Sequence, residues 1–291
     1  MSKQREDRSA RGVPSHSVSR LVRLTVAFSL FSCWTSATAA ELQTNEDPEV
    51  LLQRIRSKMA EHLSRLRNYT CHVAIDRIVR SVNSSNSSRR DSVELDVAFV
   101  GDTELFSRPG EAQFAEQPIS QIVPNGMIGN DTFGSHDDDV FLGDGPTFKY
   151  AGLCKRDGHK AFRYDFRVPL ENSRLLVKQG ASADAMVAYQ GSFWVDAETL
   201  DMLRLTWKTD HIPPSVGIRS ITKSMQYQVV HVGNSDFVLP LHSELTSFDQ
   251  QGNYRWNTTT LKHCQEFSGG STVTYGAPVD GAAAQNQPRP R

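Results

Sequence analysis

The densest group of side chains able to do chemistry is His136-Asp137-Asp138-Asp139. Three carboxylates beside an imidazole supply hard oxygen ligands of the kind Ca²⁺ and Mg²⁺ take, or an acid and a base for hydrolysis. Residues adjacent in sequence point in different directions, however, and no glycine-centred loop at EF-hand spacing surrounds them. The simpler reading is a helix start whose acids lie at the positive end of the dipole. The nine histidines include no H-E-x-x-H pattern and no His-x-His pair, whereas zinc needs three or four convergent ligands. No G-x-S-x-G elbow, P-loop or G-x-G-x-x-G turn occurs. Separated acids such as Asp165 and Asp196 could meet in a cleft, but carboxylate pairs arise by chance in any acidic chain. No catalytic residue, metal or cofactor is therefore assigned, and an enzyme is not the favoured class.

The cysteines are more informative. Cys33, Cys71, Cys154 and Cys264 are the four in the chain, and the first lies in what reads as an export signal. Residues 1–23 carry Lys3, Arg5, Arg8, Arg11, Arg20 and Arg23 against Glu6 and Asp7. An apolar run from Leu24 to Trp34 follows, and then Thr35-Ser36-Ala37-Thr38-Ala39-Ala40. A basic head, a short apolar centre and an A-x-A exit form a signal peptide over 1–40. The run is shorter than the ~20 residues of a spanning helix. Cleavage after Ala39 or Ala40 is favoured. Leu30-Phe31-Ser32-Cys33 also resembles a lipobox, and cleavage there would leave the protein lipid-anchored through Cys33. Either route places the chain in the periplasm or cell envelope, where disulfides form. Cys71–Cys264 is the expected pair, with Cys154 a buried thiol. Spacing alone leaves the other pairings open.

Removing residues 1–40 leaves 26 basic against 31 acidic side chains. That balance, without a basic stripe, excludes nucleic acid as a partner, because phosphate binding needs clustered Lys and Arg. The remaining length suits one domain with a real core.

Helix and strands must position whatever the chain binds. After a polar leader at 41–46, Asp47 caps a helix with Pro48 at its first position. Leu52, Ile55, Met59, Leu63 and Leu66 then recur at steps of three and four, an amphipathic stripe that has to lie on something. From Tyr69 the period changes to two. Val93, Leu95, Val97 and Phe99 alternate with Glu94, Asp96 and Ala98. Phe162, Tyr164, Phe166 and Val168 alternate with Arg163, Asp165 and Arg167, and Leu203, Leu205 and Trp207 with Arg204, Thr206 and Lys208. Such strands bury one face and wet the other.

Turns at Asp157-Gly158, Asp196-Ala197-Glu198-Thr199, 233–236 and Gln251-Gly252-Asn253 separate successive strands as hairpins. Residues 237–241 and 244–248 read as separate short strands, with Pro240 at a strand end. Residues 82–91 read as a polar hairpin tip, and 107–146 as an irregular insertion with short helices at 118–123 and 135–142. The Gly/Ala/Pro/Gln-rich tail at 269–291 reads as disordered. The fold class is α+β: an N-terminal amphipathic helix packed on a long, curved antiparallel meander, an unclosed half-barrel over 47–268 with short inserted helices.

Aromatic side chains fall on these strands in one hydrophobic phase. Phe162, Tyr164, Phe166, Trp194, Leu205, Trp207 and Tyr227 are the expected lining of an apolar cavity on the concave side. An ordinary filled core is the alternative.

The stretch from Gly191-Ser192-Phe193-Trp194-Val195-Asp196 to Thr199-Leu200-Asp201-Met202-Leu203-Arg204-Leu205 resembles a strand–turn–strand of the LolA-like lipoprotein-sorting proteins. LolB-like and RseB-like periplasmic domains and mycobacterial lipid-carrier lipoproteins belong to the same superfamily. Asn68-Tyr69-Thr70-Cys71, the 191–196 segment and Ile212-Pro213-Pro214 resemble more closely a group of exported bacterial proteins with such a domain. The resemblance spans roughly 47–265. It implies a half-barrel covered by helices around an apolar cavity, with a lipid or lipoprotein acyl chain as ligand and an envelope protein as partner. Three readings follow in order: an envelope binding protein with an apolar cavity, a non-enzymatic sensor or interaction module with a filled core, and a hydrolase using loop acids.

Overall fold

The computed structural model describes residues 46–65, 69–82, 88–100, 103–111, 113–114, 119–123, 135–179, 183–232 and 235–266. Residues 1–40, read above as an export signal, the 83–87 part of the expected polar tip and the tail beyond 266 lie outside the described residues.

Helix α1 (Pro48–Arg65) begins where the sequence places it. The Asp47 carboxylate accepts the Glu49 amide at 2.8 Å, the hydrogen bond an N-cap makes. Its buried stripe is Leu51, Leu52, Ile55 and Met59. Strands β1 (Tyr69–Arg80), β2 (Ser88–Val100) and β3 (Thr103–Ser107) follow. The insertion then contributes the single turn α2 (Ile119–Ile122) and α3 (Ser135–Phe141). Beyond it come β4 (Thr147–Arg156), β5 (His159–Val168), a small ribbon of β6 (Leu176–Val177) and β7 (Ala185–Met186), β8 (Tyr189–Asp196) and β9 (Met202–Thr209). The chain closes on β10 (Ile218–Val232), β11 (Ser235–Asp249) and β12 (Tyr254–Glu266).

Ten strands form one antiparallel sheet in the order β3-β2-β1-β12-β11-β10-β9-β8-β5-β4. The sheet is not closed into a barrel: β3 and β4 are its two edges, and the connection carrying α2 and α3 joins them. Neighbours in this sheet are successive strands of the chain except at two places. β5 meets β8 across the β6–β7 ribbon, and β1 meets β12. The first and last strands are thus neighbours inside the sheet, and the Cys71–Cys264 disulfide joins them.

The two short strands expected at 237–241 and 244–248 are one continuous strand, β11. Pro240 lies inside it. The register against β10 shifts between Gln226 and Gln228, and an irregularity of this kind lets a strand carry a residue without an N–H. The Asp157-Gly158 turn has positive φ at both positions, 49° and 90°, as a tight hairpin of this type requires.

Candidate functional site

Six of the seven side chains the sequence singles out lie on the inner, helix-covered face of the sheet. Phe162, Tyr164, Phe166, Leu205, Trp207 and Tyr227 are between 0% and 5% exposed and belong to one apolar cluster with Leu51, Leu52, Ile55 and Met59 of α1 and Val140 and Phe141 of α3. Phe193 is at its centre. Its ring stacks on Tyr164 at 5.4 Å and meets Phe141 edge-on at 5.0 Å. Tyr189, in turn, touches Trp207 at 5.7 Å. Gly191 is required between them: a Cβ there would fall 1.9 Å from the Thr206 carbonyl oxygen.

Trp194 departs from its expected place. Consecutive strand residues point to opposite faces, so with Phe193 and Val195 inward, Trp194 faces outward. There the guanidinium of Arg156 lies 4.5 Å from its ring centre and that of Arg163 5.5 Å. Stacked arginines, not the core, account for its burial.

Polar bonds fix the helices over the cluster. The Tyr164 hydroxyl donates to the Pro48 carbonyl at 2.7 Å, and burial pushes its pKa well above the usual phenol value. Arg56 donates to the carbonyls of Phe141 and Gly143 at 2.9 and 2.8 Å, which joins α1 to the end of α3. Lys58 pairs with Asp201 at 2.6 Å and donates to the Thr199 carbonyl. His62 Nε2 lies 2.6 Å from the Val238 carbonyl. Burial lowers the His62 pKa below the ordinary imidazole value. The bond to Val238 opposes that shift, and the nearby charges of Arg65 and Lys58 reinforce it.

The acidic group of α3 is used in packing. Asp137 is buried and accepts the Tyr227 hydroxyl at 2.6 Å, which holds α3 against β10. Asp139 is buried beside Arg174, 3.5 Å away. A polar cleft of about 510 Å³ adjoins it, lined by Asp138, Asp139, Asp144, Glu171 and Arg174 among others. None of the seven side chains expected to line a cavity borders this cleft. Asp165 and Asp196 pair with their own neighbours, Arg163 and His159. Among the described residues no three His, Cys, Asp or Glu side chains converge as a metal site would require.

Sequence reasoning missed a second set of inner-face residues. The paired row that runs through Phe166, Gly191 and Trp207 continues into Lys223, Leu245, Asn257 and Arg77. Lys223, Asn257 and Arg77 are all buried, as are Ser247 and Asp249 beside them. Arg77 is bidentate to Asp91 at 2.6 and 2.7 Å and holds that carboxyl below the usual range. Burial pushes Asp249 upward, but bonds from Asn253 and the charge of Arg255 outweigh it, and its pKa is lowered. This polar strip separates the large aromatic cluster from a smaller one of Cys71, Val73, Ile75, Leu95, Val97 and Phe106 under α2. A clue was present in the order Ile221-Thr222-Lys223-Ser224-Met225-Gln226-Tyr227, where a lysine occupies the apolar phase.

No helix among the described residues is long and apolar enough to cross a membrane, which leaves crossing by strands unaddressed. No protein-family model matches the chain, and no curated protein matches it significantly. Solved structures do. A DUF1329 family protein from Desulfovibrio piger aligns at a TM-score of 0.41 and 11% identity, over 78% of this chain and 96% of that one. A domain described as outer membrane lipoprotein-sorting, from Vibrio parahaemolyticus, gives 0.40 and 10%, over 76% and 95%. A LolA superfamily protein from Nitrosomonas europaea gives 0.36 and 11%, over 75% and 94%. At these values the function has to be read from this chain's own residues.

Proposed function

We propose that this protein is an exported binding protein of the periplasm or cell envelope. In this reading the domain over 47–268 takes an acyl chain or a similar apolar ligand between the inner face of its sheet and the helices α1 and α3. One observation carries the reading. The aromatic inner face is covered not by a second sheet but by helices, which lay one apolar stripe on it and add the side-chain bonds of Tyr164, Arg56, Lys58 and His62. A helix held in that way can move as a unit, and its displacement uncovers Phe162, Tyr164, Phe166, Leu205, Trp207 and Tyr227 as a binding surface. The export segment at 1–40 supports the location.

A second reading has its own support. The same six side chains are almost fully buried and pack against one another, which suits a sensor or interaction module whose core is filled and whose partner docks on the loops. Native mass spectrometry of protein purified from its own envelope, followed by lipid extraction, tests the binding reading. Co-purifying lipid, displaced by a hydrophobic probe, is the expected result. A ligand-free mass together with no probe binding overturns it, and cross-linked pulldown of an envelope protein would then favour the second.

A further inference from the structure

The two faces of the sheet differ in what covers them. Helices α1 and α3 pack on the larger inner cluster and α2 on the smaller one, so none of the three lies on the outer face. Across β5 and β9 the outward arginines are ion-paired: Arg163 with Asp165, Arg167 with Asp210 and Arg204 with Asp157. One corner, where β1 ends and β12 begins, is built differently. There Phe248 on β11 faces Tyr254 on β12, which faces Arg80 on β1. In the next row Thr246 faces Trp256, Trp256 faces Ile78, and Ile78 faces Arg90 on β2. Alternation puts these side chains outward, because Ser247, Asp249, Asn257 and Arg77 between them are the buried ones. The Phe248 and Tyr254 rings are 5.3 Å apart, and the Arg219 guanidinium lies 5.7 Å from the centre of the Phe248 ring. Val82, whose amide donates to Asn253 at the same end, is 57% exposed.

Arg80, Arg90 and Arg219 are exposed, and among the described residues none of them has a carboxylate partner. In the row behind, Asp76 accepts the Ser92 hydroxyl and Glu244 lies 3.8 Å from His242. Partly exposed rings ringed by three unmatched guanidinium groups are complementary to a surface that is anionic at its rim and apolar beneath. A bilayer of anionic lipid has that layering. Trp and Tyr settle at the level of its head groups, and guanidinium forks pair with phosphate. An acidic polymer would meet the guanidinium groups but leave Val82 and the rings in water.

We infer that the outer-face corner of Phe248, Tyr254, Trp256, Arg80, Arg90 and Arg219 docks the domain on an anionic lipid surface. This goes beyond the binding reading above, lies on the opposite face of the sheet and needs no ligand under the helices.

The test sediments the mature chain, which lacks the apolar run of residues 24–34, with two kinds of vesicle. One is phosphatidylcholine alone, and the other holds an equal part of phosphatidylglycerol. Each basic side chain near an anionic surface strengthens binding about fivefold, so the mixed vesicles are expected to bind on the order of a hundredfold tighter. Arg80→Gln, Arg90→Gln and Arg219→Gln should each weaken that binding about fivefold. The melting temperature should not change, because all three side chains are exposed. Lys149→Gln removes the same charge from β4, at the far edge of the sheet. It should change binding by less than about twofold, since charges beyond a Debye length are screened. Trp194 and Trp207 are buried, so quenching of the emission by brominated lipid reports Trp256 and should vanish in Trp256→Phe. Equal binding to both vesicles overturns the site, as does an equal loss in Lys149→Gln or binding without quenching of Trp256. No vesicle binding, with retention on immobilised polyglutamate, overturns the lipid assignment in favour of an acidic protein partner. Native mass spectrometry reads the inner face separately, so failure here leaves the binding reading intact.

Discussion

The two halves of the inner face are stabilised in different ways. Under α1 and α3, strands β4, β5, β8, β9 and β10 present interlocked aromatic rings, and burial of apolar surface is the main stabilising term. On the other side, β1, β2, β3 and β12 bury a thinner apolar layer under the single turn α2. That half adds a disulfide between the chain's first and last strands and ion pairs such as Arg77–Asp91. The difference shows how one sheet can carry a helix-covered aromatic half and a cross-linked frame together. Helices roof the covered half, and covalent and ionic ties hold the frame.

The comparison can be broken most severely at Phe193. Phe193→Ala deletes the ring that Tyr164, Phe141, Phe148 and Phe166 all touch, and a cost of about 3–5 kcal/mol is expected in urea denaturation. A loss below about 1 kcal/mol would mean that the covered half is not a packed core at all. The frame is broken by the double substitution of Cys71 and Cys264 to alanine. The bond closes a separation of 193 residues, and its removal should cost about 2–5 kcal/mol, read as a fall in the denaturation midpoint. Unchanged stability would show that strand pairing alone holds the frame.

The smallest effect sharpens the comparison at the edge of the roof. His62 has a folded-state pKa below its unfolded value, so between those values the unfolded chain binds more protons and stability rises with pH. Its contribution is complete above the unfolded value near 6.5 and is lost as pH falls through the lower, folded one. His62→Gln should flatten that part of the stability–pH curve, which a series of melts from neutral to mildly acidic pH would measure. A parallel slope in parent and variant would remove His62 from the roof's pH response.

Much of the architecture was legible because periodicity is local. The steps of three and four from Leu52 to Leu63 reported a helix with one apolar face, and the alternation from Phe162 to Val168 reported a strand with one. The phase of each strand was legible only where its two faces differ. Phe193-Trp194-Val195 is apolar on both, so the outward turn of Trp194 towards Arg156 and Arg163 could not be read from pattern. In β11, Ser243, Leu245 and Ser247 alternate with Glu244, Thr246 and Phe248. Neither set is clearly apolar, and the polar strip was hidden for that reason.

The sequence by itself determined the elements, their order and the cysteines available for a bond, because these depend on neighbours along the chain and on compartment chemistry. Only the tertiary structure decided that the sheet stays open between β3 and β4, that the first and last strands lie side by side, and that Lys223, Leu245, Asn257 and Arg77 fall in one cross-strand row. Those facts depend on register between strands far apart in the chain, such as the two that the disulfide joins across a separation of 193 residues. Cross-strand pairing fixes that register through contacts which no local pattern encodes.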